Sequence, residues 1–301
     1  MTSNQSHKAV VFGSISIDKI VNKYGAFSNV LGGSAAYALL ANKKNTCELV
    51  GVVGKDFQQK HFNLLSEHSI STNSLTKLDG NTFCWGGEYK HDFSSRETLY
   101  VDPGVSEFYL PDLSEDSKHC PYLLLGNTAP HLQTELLNQM QSNPFILLDT
   151  FKLYIDIANN ELKALVERVD LFCINFNEAR AISGMNGSSL RDMAKSILDL
   201  GPKSLIIKDG GNGSHFFDAQ NNFSIRAFPV DKVIDTTGAG DAYIGGVLMG
   251  KMNGKSIFES MKVGAVTASF CIEGIGIDGL LKINDTEFIR RLEWMNANHT
   301  S

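Results

Sequence analysis

Short apolar runs rich in valine, isoleucine and leucine recur along the chain, each separated from the next by a stretch with helical patterning. The runs cover residues 9–13, 47–53, 122–125, 145–148, 171–174 and 204–208. Residues 33–41, 57–68, 132–140, 161–168 and 189–200 read as helices. A strand that is apolar at every position is buried on both faces, as in a parallel sheet covered by helices on each side. The alternation therefore predicts βαβ units in an α/β protein. After Asp235 the pattern turns helical, with helices expected over 239–249, 256–273 and 285–295. No internal repeat divides the chain, and residues 1–301 are expected to form a single domain.

One stretch breaks this rhythm. Over residues 81–101, Phe83, Trp85, Tyr89 and Phe93 fall on one parity while Thr82, Glu88, Lys90 and Asp92 fall on the other. Such alternation marks strands, and the turn residues at 92–95 make it a hairpin inserted at about 80–103. An isolated hairpin is marginal, so this one packs on something. It is an edge hairpin covering its own core, a lid, or an oligomer contact.

Composition narrows the function classes. The net charge of −6 and the absence of any Lys/Arg run speak against nucleic acid as a partner. No apolar run approaches the ~20 residues of a membrane span, and the amino-terminal segment lacks the apolar core of a signal peptide. The five cysteines are scattered and form no CxxC, which suits reduced thiols and a cytoplasmic location. The Asn-x-Ser/Thr sequons, among them Asn4 and Asn186, therefore carry no weight. The histidines show no HExxH spacing, and no G-x-S-x-G elbow is present.

The segment Asp235-Thr236-Thr237-Gly238-Ala239-Gly240-Asp241 carries the strongest chemical signal. Glycines at 238 and 240 let backbone N–H groups approach a ligand, and the helix that follows points its positive end there. Such a site stabilises charge on a transferring phosphoryl group, with Asp241 placed to accept the proton of an attacking hydroxyl. A glycine-rich turn with a capping aspartate reads the same way. Asn175 and Glu178 follow a buried strand, where α/β sheets bind ligands; they can organise Mg2+ near phosphates, form a capping box, or both. Asp18, leaving the first strand, and the Gly32-Gly33 pair opening a helix suit a polyol, or are turn chemistry. Lys208 to Ser214 is a strand ending in a glycine-rich turn. Gly274 to Gly279 fits G-x-G-x-x-G, but it follows a helix and lacks the βαβ context of a dinucleotide site. Likewise, Gly254-Lys255-Ser256 has no strand before it and reads as a helix start.

In this order, the segments resemble the ribokinase-like (PfkB) carbohydrate kinase family over residues 13–276. The resemblance implies an α/β, ribokinase-like three-layer sandwich with a mainly parallel central sheet and a small β lid, formed by the 80–101 hairpin with residues near 19–30. It implies Asp241 as catalytic base, the amides of Gly238, Ala239 and Gly240 as anion hole, and Asn175 and Glu178 as organisers of Mg2+. Lys208, Gly210 and Gly213 would flank ATP, Asp18, Gly32 and Gly33 would meet the sugar, and Asp235 and Thr237 would bind a monovalent cation such as K+. Two positions depart from the family: Tyr37 stands where many members have asparagine, and Ser34 where ribokinase has lysine. Ser34 is kept among the acceptor-side candidates.

The expected function is ATP-dependent phosphorylation of a hydroxyl on a free sugar. The alternatives are a nucleoside (adenosine-like) kinase, with Phe83 and Trp85 stacking on the base, or a catalytically inactive ligand-binding module. A phosphorylated sugar is disfavoured as acceptor, because Arg96 is the one arginine in the hairpin. A homodimer through the lid is also expected.

Overall fold

The computed structural model describes residues 8–42, 46–91, 93, 95–185 and 187–299. Asp92 of the expected turn and the sequons at Asn4 and Asn186 lie outside these residues. In chain order the elements begin with β1 (Ala9–Phe12), β2 (Ser16–Asn22), β3 (Gly25–Gly32), α1 (Ser34–Ala41), β4 (Cys47–Val53) and α2 (Gln59–Glu67). There follow β5 (Ile70–Ser71), β6 (Leu75–Lys77), β7 (Cys84–Tyr89), β8 (Arg96–Asp102), β9 (Tyr122–Leu125), α3 (Pro130–Gln139) and β10 (Phe145–Leu148). Next are α4 (Lys152–Ile157), α5 (Asn159–Val166), β11 (Leu171–Asn175), α6 (Phe176–Ser183), α7 (Leu190–Leu198) and β12 (Ser204–Lys208). The chain closes with β13 (Ser214–Asp218), β14 (Asn222–Ile225), α8 (Ala239–Met252), α9 (Ile257–Cys271), α10 (Asp278–Leu281) and α11 (Asp285–Asn298).

The larger sheet has the order β14-β13-β12-β11-β10-β9-β1-β4-β5, with β6 paired to the end of β4. From β12 to β5 the pairings are parallel, and β13 and β14 turn back antiparallel. Neighbouring residues of each strand serve opposite faces. Ala9 and Val11 pack into one core with α1, α8, α9 and α10, while Val10 and Phe12 pack into a second core with α3, α5 and α7. This is why the strands are largely apolar on both faces, with Glu48 of β4 a buried exception that accepts from the Ser74 N–H at 2.7 Å. From Ala242 to Gly250, helix α8 is buried on all sides, lying between α1 and α9.

Parallel strands joined by helices bring their carboxyl ends to one edge of the sheet. The chain leaves β1 for β4 on one side and returns to β9 on the other, so the order reverses beside β1. Ligand crevices of open α/β sheets form at such a reversal. Gly13, Gly126, Asp149, Asn175 and Lys208 all stand at this edge.

The smaller sheet has the order β3-β2-β7-β8, with β2 and β7 parallel. Its two halves are distant in sequence, and β2 and β3 carry little apolar patterning of their own. Strict alternation does not survive in β7, because the register with β8 shifts between Gly86 and Gly87. The ring of Trp85 lies across Gly87, and its Nε1 donates to Thr98 Oγ1 at 3.3 Å.

Candidate active site

The turn before α8 is built on a buried ring. Gly238 caps the helix at φ 72°, and a Cβ there would meet Tyr37 ring atoms at 2.3 Å. Only glycine satisfies both conditions. Of the three expected anion-hole amides, that of Ala239 already donates a long bond, 3.3 Å, to the Thr236 carbonyl. Asp241 lies in the first turn of α8. Burial lifts its carboxyl to about 7, and the carboxylate of Asp149 adds to the rise.

Asp149 is the residue that sequence reasoning missed. It follows β10 at the sheet edge, is 4% exposed, and accepts a bond from Lys208 Nζ at 3.1 Å. Lys208 therefore turns inward from the end of β12 toward Asp149. Its ammonium would stand 3.2 Å from a Cβ on Gly240, which places it beside the turn before α8. Burial opposes its charge, yet Asp149, with Glu178 and Asp241, holds its pKa above the ordinary lysine range. The signal for Asp149 was an acidic residue directly after a buried parallel strand, the reasoning that had selected Asn175 and Glu178.

Asn175 and Glu178 form a complete capping box at the start of α6. Glu178 N donates to Asn175 Oδ1 at 3.0 Å, and Asn175 N donates to Glu178 Oε2 at 2.8 Å. Burial and the charge of Asp149 push the Glu178 carboxyl up to about 7. Glu178, Asp149, Lys208 and Asp241 thus form one electrostatic group drawn from four elements or their ends. No cluster of three or more metal-ligating side chains occurs among the described residues.

Asp18 does not leave β1 as expected; it lies within β2 of the smaller sheet. Its Oδ1 accepts from the Trp85 N–H at 3.2 Å, and its Oδ2 would stand 2.2 Å from a Cβ on Gly32. Burial lifts its carboxyl to about 7, against bonds from Ser16 and Trp85 that lower it. Gly33, at φ 92°, packs against the Ser14 carbonyl and opens α1. Ser34 is buried as the first residue of α1. Its hydroxyl donates to the Asn127 carbonyl at 3.2 Å and accepts from the Ser14 N–H at 3.2 Å, so it ties the ends of β1 and β9 together.

Asp235 is fully buried and already engaged. Its Oδ1 accepts from Thr237 N at 2.9 Å and Thr237 Oγ1 at 2.7 Å, and its Oδ2 accepts from Gly276 N at 2.9 Å. Thr237 Oγ1 also lies 2.8 Å from the Tyr89 hydroxyl, while Asn22 Nδ2 donates to the Ile234 carbonyl. The smaller sheet is thereby bonded to the segment leading into α8. Gly210 and Gly213 form the β12–β13 turn at φ 53° and 101°. Tyr37, the departure expected near an acceptor, is 1% exposed beneath Gly238, and its hydroxyl has no hydrogen-bond partner among the described residues.

The chain is similar to known proteins over nearly its whole length. The chain superposes on the Burkholderia thailandensis nucleoside kinase in complex with inosine, with a TM-score of 0.80 at 19% identity, covering 96% of this chain and 99% of that one. It superposes on the Arabidopsis thaliana ribokinase complexed with ribose and ATP, with a TM-score of 0.76 at 20% identity and the same coverage. In sequence it is 28% identical over 269 residues to the cytidine kinase of Thermococcus kodakarensis, spanning 85% of this chain and 92% of that one. The fold is the ribokinase fold, a three-layer α/β sandwich with a mainly parallel central sheet. The pattern of the pfkB family carbohydrate kinases matches residues 6–282, and the chain belongs to that family. It is an ATP-dependent phosphotransferase.

Proposed function

We propose that this kinase phosphorylates a hydroxyl of a free sugar, with Asp241 as base. One observation carries the reading. A buried carboxyl lifted to about 7 shares its surroundings with a lysine ammonium held by Asp149 beside the turn before α8. A base poised near neutrality takes the hydroxyl proton as the oxygen attacks phosphorus. Lys208 and the amides of Gly238 and Gly240 oppose the charge on the transferring group. Asp18, with Gly32 and Gly33, holds the acceptor hydroxyls from the smaller sheet, which serves as a lid on a single domain. Gly210 and Gly213 shape the nucleotide side.

Mg2+ is usually held by one or two carboxylates, with phosphates and water completing its shell, and Glu178 with Asp149 fits that demand. Mg2+ would neutralise the phosphates of ATP. A monovalent cation at Asp235 and Thr237 would have to share a carboxylate that already accepts three hydrogen bonds. The five scattered cysteines, with no CxxC among them, fit a reducing, cytoplasmic setting. No helix among the described residues is long and apolar enough to cross a membrane.

A nucleoside acceptor is the second reading, favoured by the 28% identity to a cytidine kinase. Trp85 would then stack on the base, although Arg96 already lies over its ring at 5.2 Å. The test is ADP release from ATP and Mg2+ against a panel of free pentoses, hexoses and nucleosides, in potassium and in tetramethylammonium buffer. Turnover with a free sugar above all nucleosides is expected. Preference for a nucleoside selects the second reading, and equal rates in the two buffers remove the cation.

A further inference from the structure

Arg96 opens β8, opposite Tyr89 in register. Its guanidinium carbon stands 5.2 Å from the ring centroid of Trp85 and 5.3 Å from that of Phe151. Trp85 belongs to the smaller sheet. Phe151 belongs to the segment between β10 and α4, two residues beyond Asp149. The contact therefore spans the two sheets, one ring from each. A guanidinium stacked on rings still has its N–H edge for an acceptor in its own plane. Among the described residues, no carboxylate stands within ion-pair distance of it, and the side chain is open to solvent. Its positive charge nevertheless lowers the carboxyls of Asp18, Glu178 and Asp241, which come from β2, α6 and α8. With the Tyr89 hydroxyl as a hydrogen-bond partner and no carboxylate among the described residues close enough to neutralise it, a cation held among three carboxyl groups is arranged for an anion that arrives between them.

We propose that Arg96 binds the transferring phosphoryl group from the lid side, opposite Lys208, and that Phe151 is the latch that keeps it there. The proposal rests on the reading of Asp241 as the base. Two sources could supply an anion here: the phosphoryl group, or an acidic substituent on the acceptor. The first is favoured because the charge of Arg96 reaches Glu178 and Asp241 on the larger sheet, not Asp18 alone. In the transfer step, the acceptor oxygen forms its bond to phosphorus as the bond to the ADP oxygen breaks. The hydroxyl proton passes to Asp241, and Arg96 gains and loses none.

The test compares wild type with Arg96→Gln, Arg96→Lys and Phe151→Leu, using fluoroaluminate as a phosphoryl mimic. Calorimetry measures Kd for Mg2+·ADP with and without fluoroaluminate, so the readout needs neither the acceptor nor Asp241. Arg96→Gln should lose at least about tenfold of the tightening that the mimic produces, the scale of a charge-assisted bond. Affinity for ADP alone and the melting temperature should stay unchanged, which separates this loss from misfolding. Arg96→Lys should be intermediate, since it keeps charge without the fork. Phe151→Leu should lose roughly twofold to fivefold, the scale of an exposed cation–π contact. A kinetic arm uses the acceptor turned over fastest in the panel. There the acid limb of kcat should move to higher pH in Arg96→Gln, because a positive charge that favours ionised Asp241 is gone. The other groups facing Asp241, namely Asp149, Lys208, Asp18, Cys173 and Cys271, are the same in both proteins. Equal tightening in Arg96→Gln and wild type, or none in either, overturns the proposal. So does an effect confined to ribose 5-phosphate over ribose, which would assign Arg96 to an acidic acceptor. An active Asp241→Asn would overturn the base assignment instead, leaving the fluoroaluminate result intact.

Discussion

Asp241 combines two properties that pull apart in water: it must be ionised to act as a base, yet it sits among other carboxyls where ionisation is disfavoured. Burial and Asp149 raise its carboxyl from 3.8 to about 7, while Lys208 and Arg96 pull the other way. Asp241→Asn is therefore expected to lower kcat by at least about 10²-fold, the scale of lost general-base catalysis, with ATP binding retained. The same substitution has a stability signature. A carboxyl raised on folding binds its proton more tightly in the native state, so its contribution is present below the unfolded pKa and lost as pH rises toward about 7. Asp18 and Glu178 are raised to about 7 as well, so the free protein should lose stability between about pH 4 and pH 7. Asp241→Asn should melt higher than wild type at pH 8, with the gap closing toward pH 5. Thermal melts across that range check the sign, and an unchanged gap would show that Asp241 is not the buried acid described here.

At the level of elements, the turn into α8 and the helix α1 form one unit. Tyr37, in α1, lies two hundred residues from Gly238 in sequence and directly beneath it in space. The two glycines of the turn should then respond differently to the same added methyl group. Gly238→Ala forces a left-handed backbone on a residue with a Cβ and drives that Cβ into the Tyr37 ring, at a cost of about 1–3 kcal/mol. Gly240→Ala meets only the flexible end of Lys208, at 3.2 Å, so the melting temperature should hold while kcat falls as the ammonium is pushed aside. Thermal melts and kinetics on the pair separate the two effects. Equal destabilisation would mean that the second glycine is structural too. The Asn175–Glu178 box at α6 was readable in advance because its bonds join residues three apart, within one turn of helix. The joining of β2 to β7 had no such local signal, because Lys19 and Gly86 are register partners across a long stretch of chain.

For the molecule as a whole, the open edge of the smaller sheet remains. Among the described residues, strand β8 pairs on one side only, and Leu99, Tyr100 and Val101 are each nearly half exposed on it. An uncovered apolar edge strand tends to pair with another chain, and we propose that a second copy covers this one. Sedimentation should find a dimer, and Leu99→Lys with Val101→Lys should give a monomer with the same melting temperature. A monomeric wild type would remove the proposal.

What the sequence by itself determined is local. Six apolar runs with helices between them dictate a parallel sheet covered on both faces, because strands so apolar have no other way to leave water. The glycine-rich start of α8 and the capping box of α6 rest on backbone groups a few residues apart, so their chemistry shows in the order of residues. The tertiary structure alone decided which side chains meet. Lys208 finds Asp149 from 59 residues away, the Trp85 N–H finds Asp18 from 67, and Arg96 settles between Trp85 and Phe151. Each of these pairings depends on which strands lie side by side, and a parallel sheet places strand ends together only after every intervening helix has packed on its face.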